Sequence, residues 1–216
     1  MADGPGWHAW HLPYADPDTP LSRRLRTVQR EIEIWLDERP EPVLRVVSAC
    51  AGQGRDLLEV LARRPDAQRV RARLIEYDAR NAAEAVDRVE AAGLAGGAAG
   101  VAVVRADAGK LASYAGAVPA DLALMVGIFG NITDDDIQRT IAALPQLCAA
   151  GATVIWTRGR HDGDLTPAVR TWFAAGGFAE RAFHAPPDVT FSVGVHRFEG
   201  RPRPLPAAGD LFAFVG

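Results

Sequence analysis

The run Val46-Val47-Ser48-Ala49-Cys50-Ala51-Gly52-Gln53-Gly54-Arg55-Asp56 carries an apolar segment straight into a glycine turn and then into the start of a helix. Glycine lets the backbone of such a turn approach a ligand closely and adopt conformations that a Cβ disfavours. The helix that follows aims its first N–H groups at whatever the turn holds. Two acids stand at the ends of later apolar segments, Glu76 in Leu74-Ile75-Glu76-Tyr77-Asp78 and Asp107 in Val104-Arg105-Ala106-Asp107-Ala108. A carboxylate at a strand end of a nucleoside-binding fold can accept hydrogen bonds from both ribose hydroxyls. Glu76 follows Gly54 by close to the ~20 residues expected of one βαβ unit. The plainer readings are a tight β–α connection at Gly52 and Gly54, a solvent-facing Glu76, and an Asx turn from Asp107 to Gly109.

Histidine is the usual general base near neutral pH. His8 and His11 lie with Trp7, Trp10 and Tyr14 in an irregular N-terminal arm, and His184 and His196 lie in C-terminal segments. His161 follows a strand, at the carboxyl edge where open α/β sheets bind ligands. His161 and His11 are therefore the candidate catalytic bases. Trp7, Trp10 and Tyr14 are candidates for an acceptor pocket beneath a lid. Phe129 and Asn131, in Met125-Val126-Gly127-Ile128-Phe129-Gly130-Asn131, are candidates for the same pocket. The competing readings are an exposed histidine, a hydrophobic anchor and a core phenylalanine. Cys50 and Cys148 fall in no metal-ligand spacing, so no metal is expected.

The elements that must position these residues alternate. Thr19 and Pro20 open a helix with Leu21, Leu25, Val28, Ile32 and Trp35 on one face, stopped at Pro40-Glu41-Pro42. Strands are expected over 43–49, 70–77, 101–106, 121–127 and 152–157, and helices over 55–64, 79–92, from Thr133 to about Ala149, and from Thr166 to Gly176. The near-continuous apolar run of the fourth strand suits burial on both faces. Segments 178–184 and 189–198 are joined by too short a link for a parallel crossover, so they form an antiparallel hairpin. Residues 211–215 could add a short edge strand. The fold class is α/β, a Rossmann-like three-layer sandwich with a mostly parallel sheet of about seven strands and a C-terminal antiparallel hairpin. Residues 1–42 divide off as an aromatic arm and helix, a lid or cap, before the domain 43–216.

The glycine turn and the acids after it resemble the class I S-adenosylmethionine (SAM) methyltransferases. In that family an acidic residue and G-x-G-x-G end the first strand; Ala51-Gly52-Gln53-Gly54 matches the second half, whereas Cys50 replaces the first glycine and Ser48 stands near the acid. The resemblance implies a SAM site of Ala49, Cys50, Gly52, Gly54, Glu76, Tyr77, Asp107, Ala108 and Gly127. In it, Glu76 holds the ribose, Tyr77 packs on adenine, and Asp107 with the N–H of Ala108 reaches the adenine edge. Loss of the acid at Ser48 removes an anchor for the methionyl amino group, for which Asp56 or the N-terminal arm could compensate. The fourth strand end is not Asn-Pro-Pro-Tyr, which argues against DNA or glutamine as acceptor.

The implied function is SAM-dependent methylation of a small-molecule acceptor, with oxygen as the expected target. The alternatives are a SAM-binding regulator without catalysis and an NAD(P)-dependent Rossmann oxidoreductase. The missing third glycine of G-x-G-x-x-G and the closing hairpin weigh against the oxidoreductase. A net charge of -3, with 48% hydrophobic and 24% charged residues, is ordinary for a globular domain and does not suggest nucleic acid. The local clusters Arg23-Arg24-Leu25-Arg26 and Arg69-Val70-Arg71-Ala72-Arg73 read as solvated edges. No apolar run reaches the ~18 residues of a membrane span. Sparse cysteine and the lack of a signal-peptide pattern lead to an expectation of a cytoplasmic protein, with a homodimer left open.

Overall fold

The computed structural model describes residues 13, 14, 16–96, 100–161 and 163–215. In chain order its elements are α1 (Pro20–Asp37), β1 (Leu44–Ala49), α2 (Arg55–Leu61), β2 (Val70–Glu76), α3 (Ala79–Ala91) and β3 (Val101–Arg105). Then come β4 (Ala120–Met125), α4 (Asp134–Ala143), β5 (Cys148–Gly159), α5 (Thr166–Ala175), β6 (Phe178–His184) and β7 (Phe191–Phe198). One sheet of 7 strands has the order β3-β2-β1-β4-β5-β7-β6. Strands β1 to β5 pair in parallel, and β7 runs antiparallel between β5 and β6. The order reverses between β1 and β4. Such a switch point opens a crevice beyond the carboxyl ends of the two strands.

Alternation along the strands feeds two cores. Val47, Ala49, Ala123 and Met125 face α4 and α5, packing with Ile137, Ile141, Val169 and Phe173. Val46, Leu122 and Leu124 face the opposite layer, where Val28, Ile32, Leu57, Leu61 and Val89 come from α1, α2 and α3. Helix α1 thus shares a core with the sheet, and Thr19 caps it by accepting from the Ser22 N–H at 3.2 Å. Among the described residues no helix is long and apolar enough to cross a membrane.

Two expectations need correction, those for the helix after Thr133 and for the C-terminal tail, and one crossover differs from the rest. The helix after Thr133 ends at Ala143, Leu144-Pro145-Gln146 form a 3-10 turn, and β5 begins at Cys148. Pro145 has no N–H for another helical turn and crowds the preceding carbonyls. Strand β3 leads into the short 3-10 turn Leu111–Tyr114 before β4, so that crossover carries no α-helix. The C-terminal tail is not an edge strand. It crosses the carboxyl end of the sheet, making isolated bridges from Asp210 to Lys110 and from Phe214 to Ile132. Leu211 is fully buried there, and its carbonyl accepts from Thr140 Oγ1 at 2.9 Å.

The core behind β5 contains a histidine. His196 is fully buried; its ring stacks on Phe173 at 4.3 Å, and its Nδ1 accepts from Trp156 Nε1 at 3.1 Å. Burial, assisted by Arg170 and opposed by Glu180, pushes its pKa down to about 4 from 6.5. The unfolded chain therefore takes up this proton first, and stability falls as pH drops from 6.5 towards 4. His196→Asn keeps an acceptor for the indole but cannot titrate. Denaturant melts should show wild type losing about 3 kcal/mol relative to this variant between neutral pH and pH ~4; a pH-independent difference would refute the assignment.

Candidate functional site

The crevice is built on three left-handed residues in the turn after β1: Cys50 at φ 52°, Gly52 at 56° and Gly54 at 69°. Ala51 N–H donates to the Ile75 carbonyl at 2.9 Å and Gly54 N–H to the Ala51 carbonyl at 2.8 Å, so the turn is tied to β2 and to itself. Glu76 locks it. Its Oε2 accepts from the Gly52 N–H at 2.7 Å and its Oε1 from the Asp78 N–H at 2.8 Å. Burial holds the Glu76 carboxyl above its ordinary pKa, opposed by those two backbone hydrogen bonds. Asp78 in turn caps α3, accepting from the N–H groups of Arg80 and Asn81 at 2.9 Å each.

A cleft of about 310 Å³ lies over this turn, at the small end of ligand pockets. Cys50, Gly52, Glu76, Tyr77, Asp107, Ala108 and Gly127 all line it. Ala49 and Gly54 do not. Ala49 is buried within β1, and a Cβ on Gly54 would meet Leu58 Cδ1 and Leu74 Cδ2 at 2.7 Å. Gly54 therefore serves the close packing of α2 on β2. Asp107 forms the Asx turn, its Oδ1 accepting from Gly109 N–H at 2.8 Å, and still faces the cleft. Tyr77 stands 71% exposed at the rim, with its ring available for stacking.

Several lining residues come from parts of the chain without a recognisable motif. Tyr14, expected at an acceptor pocket, lines this cleft with Arg24, Leu25 and Val28, and the tail adds Phe212, Ala213 and Phe214. Arg24 is thus part of the site and not a solvated edge. Asp56, in the first turn of α2, also faces the cleft, and burial pushes its pKa up to about 6, against the pull of the Leu57 N–H and Arg24. The half-buried Cys50 thiol is pushed well above its ordinary pKa by desolvation and by the nearby Glu76 and Asp107 carboxylates. Arg24 escaped the sequence reading because one arginine in a basic cluster carries no local sign of its direction. The apolar run of the tail, Leu211-Phe212-Ala213-Phe214-Val215, was visible but had no local sign of its destination.

A second cavity of about 440 Å³ adjoins the first and shares Arg24 and Gly127 with it. His161 and Asn131 line it, together with Leu21, Thr157, Arg158 and Phe191. Gly127 is the hinge between the two: its N–H donates to Thr157 Oγ1 and its carbonyl accepts from Asn131 Nδ2, each at 2.8 Å. Phe129 lines neither cavity. It is fully buried, 5.9 Å from the Trp156 ring and 6.4 Å from that of Phe173, because the left-handed Gly127 turns the chain back into the core. His11, Trp7 and Trp10 lie outside the described residues. Among the described residues no group of three or more His, Cys, Asp or Glu side chains is placed to hold a metal.

The architecture matches solved structures. A magnesium protoporphyrin IX methyltransferase from Synechocystis PCC 6803 with bound SAM superposes at a TM-score of 0.69 and 14% identity, over 90% of this chain and 92% of that one. A 1,6-didemethyltoxoflavin-N1-methyltransferase from Burkholderia thailandensis, with 1,6-didemethyltoxoflavin and S-adenosylhomocysteine (SAH), gives 0.66 at 16% identity, over 90% and 84%. A TehB-like SAM-dependent methyltransferase from Corynebacterium glutamicum gives 0.55 at 14% identity, over 82% and 95%. The chain has the class I SAM methyltransferase fold. No protein-family model matches the sequence, and no curated protein matches it.

Within this methyltransferase fold, Cys50 is the anomaly, a non-glycine residue held at φ 52°. A left-handed conformation costs an ordinary side chain about 1–2 kcal/mol. Cys50→Gly should therefore raise unfolding stability by about 1 kcal/mol, or a few degrees in Tm. Cys50→Val, β-branched at the same φ, should lower it. Thermal melts that order the variants the other way would show that the thiol contributes more than the strain costs.

Proposed function

We propose that the protein transfers a methyl group from SAM to a small-molecule acceptor, at oxygen. The observation that carries this reading is the buried Glu76 carboxylate, whose two oxygens are each held by one backbone N–H at the edge of the cleft. Each oxygen keeps acceptor capacity for one hydroxyl of a ribose. The rest of the cleft suits an adenosyl amino acid. Tyr77 offers a face for adenine, Asp107 and the Ala108 N–H its edge, and Phe212 and Phe214 an apolar wall. Ser48 is buried within β1 and lines neither cavity, so Asp56 is the carboxylate for the methionyl ammonium and Arg24 the cation for the methionyl carboxylate. The bound SAM and SAH of the protoporphyrin and toxoflavin enzymes support this choice of cofactor, and the toxoflavin compound supports a small acceptor.

SAM supplies the electrophilic methyl on a sulfonium; alignment and exclusion of water fall to the protein. The acceptor occupies the second cavity, beside Gly127, with Asn131 among its contacts. His161, on its wall, takes the hydroxyl proton as the new O–C bond forms and the C–S bond breaks with its electron pair on sulfur. Positioning of this kind can supply up to ~7–11 kcal/mol of the barrier in favourable cases.

Titration calorimetry tests the cofactor assignment. Wild type should bind SAH and not NAD, and Glu76→Ala should weaken SAH by at least ~100-fold, from two charge-assisted hydrogen bonds at about 1.5–3 kcal/mol each. Equal SAH affinity in the two proteins would refute the reading. Binding without methyl release across a hydroxyl-acceptor panel would instead favour a regulator.

The raised pKa of Asp56 gives a second test. Because it lies near 6 in the fold against an ordinary 3.8, protonation is favoured in the folded state, and this group's contribution to stability falls as pH rises through that window. Binding runs the other way, since an ammonium needs the ionised carboxylate. SAH affinity should be roughly tenfold weaker at pH ~5 than at pH ~7.5, and Asp56→Asn should remove that part of the slope. An unchanged slope in the variant would reassign the ammonium contact.

A further inference from the structure

We propose that the second cavity takes an acceptor bearing a carboxylate, anchored by Arg158 with Arg24 as the second cation on the cofactor side. The proposal rests on the methyl-transfer reading and names the acceptor's chemical class. The described residues that line the cavity include Arg24, Arg158 and His161, and no aspartate or glutamate is among them. A volume of about 440 Å³ limits the occupant to a small molecule.

Arg158 reaches the cavity from the end of β5 with its side chain only 17% exposed. One amino group donates to the Phe129 carbonyl, which pins the guanidinium in place. Its buried Nε has no acceptor among the described residues. Among the described residues, the one carboxylate paired with it, Asp134, stands 3.8 Å away with 64% of its side chain exposed to water. A cation so far withdrawn from solvent is costly to bury unless an anion meets it. The planar guanidinium suits a carboxylate, with geometric selectivity that an ammonium lacks.

The balance of charge favours a monoanion over a phosphate dianion. Arg24 is shared with the cofactor cleft, where it lowers the pKa of Asp56, and its Nη2 lies 3.3 Å from Tyr14 Oη. Among the described residues, that leaves Arg158, met only by the distant and exposed Asp134, as the principal cation facing the acceptor. Leu21 and Phe191 provide apolar wall for the carbon skeleton of the ligand. An aromatic or conjugated carboxylate with a hydroxyl for methylation fits both features.

The test uses two probes of matched shape, 4-hydroxybenzoate and 4-hydroxybenzamide, titrated into the full chain with and without saturating SAH. The carboxylate should bind at least tenfold more tightly than the amide, and added salt should narrow the gap. Arg158→Met, which keeps bulk without charge, should abolish the preference and leave SAH affinity within about twofold. Should that variant fail to fold, Arg158→Lys replaces it and should retain a reduced preference. Equal affinity for the two probes, binding of neither, or a preference that survives Arg158→Met would overturn the proposal. A carboxylate preference in a protein that does not bind SAH would preserve the anion site while sinking the methyl-transfer reading, so the two failures are distinguishable.

Discussion

The Glu76 carboxylate, held between the Gly52 and Asp78 N–H groups, is the contact on which the site depends. It joins the turn after β1 to the end of β2, and through Asp78 to the start of α3. A buried carboxylate without such donors would be strongly destabilising. With them, it acts as a clamp that sets the separation of two strand ends. The left-handed residues of the turn then follow, because the chain must present the Gly52 N–H inward over so short a span. Glu76 thus combines this structural task with a place in the cleft wall, and its burial there raises its pKa.

A second constraint operates across the switch point between β1 and β4. Gly127 sits at the carboxyl end of β4 with a left-handed φ of 77°, bonded through its N–H to Thr157 and through its carbonyl to Asn131. Its backbone belongs to the walls of the two cavities. The same turn sends Phe129 into the core beside Trp156 and Phe173 and brings Asn131 back to the surface of the second cavity. This glycine marks where the two spaces join. The aromatic core below, with the stacked Trp156 and Phe173, gives that junction a rigid base.

The cleft is closed by segments remote in sequence. The tail passes between the loop after β3 and α4, with the Leu211 N–H donating to the Gly109 carbonyl at 2.7 Å and the Val215 N–H to the Asn131 carbonyl at 3.0 Å. A Cβ at Gly109 would lie 2.2 Å from the Phe212 carbonyl oxygen, so this glycine is required by close approach of the tail. From the other side α1 contributes Arg24, Leu25 and Val28. The electrostatics follow from this assembly: Arg24 moderates the buried Asp56 in one cavity and adds positive charge to the other.

The sequence by itself determined the β–α rhythm, the hairpin, the glycine turn and the acids at strand ends. Periodicity and turn chemistry are local, and in a parallel sheet the chain order of strand ends largely dictates which residues share an edge. For that reason Glu76, Tyr77, Asp107 and Ala108, picked out at strand ends, come together on the wall of one cleft. Only the tertiary structure decided that Gly54 serves packing, that Phe129 faces the core, that Arg24 points into the cleft, and that the tail becomes its wall. Those outcomes depend on which side of a helix or turn meets an element far away in the chain, and no local pattern records that meeting. The end of α4 shows the same division. Helical spacing ran on past Ala143, but Pro145 and the pairing of Cys148 with Ala120 drew the following residues into a turn and then the sheet.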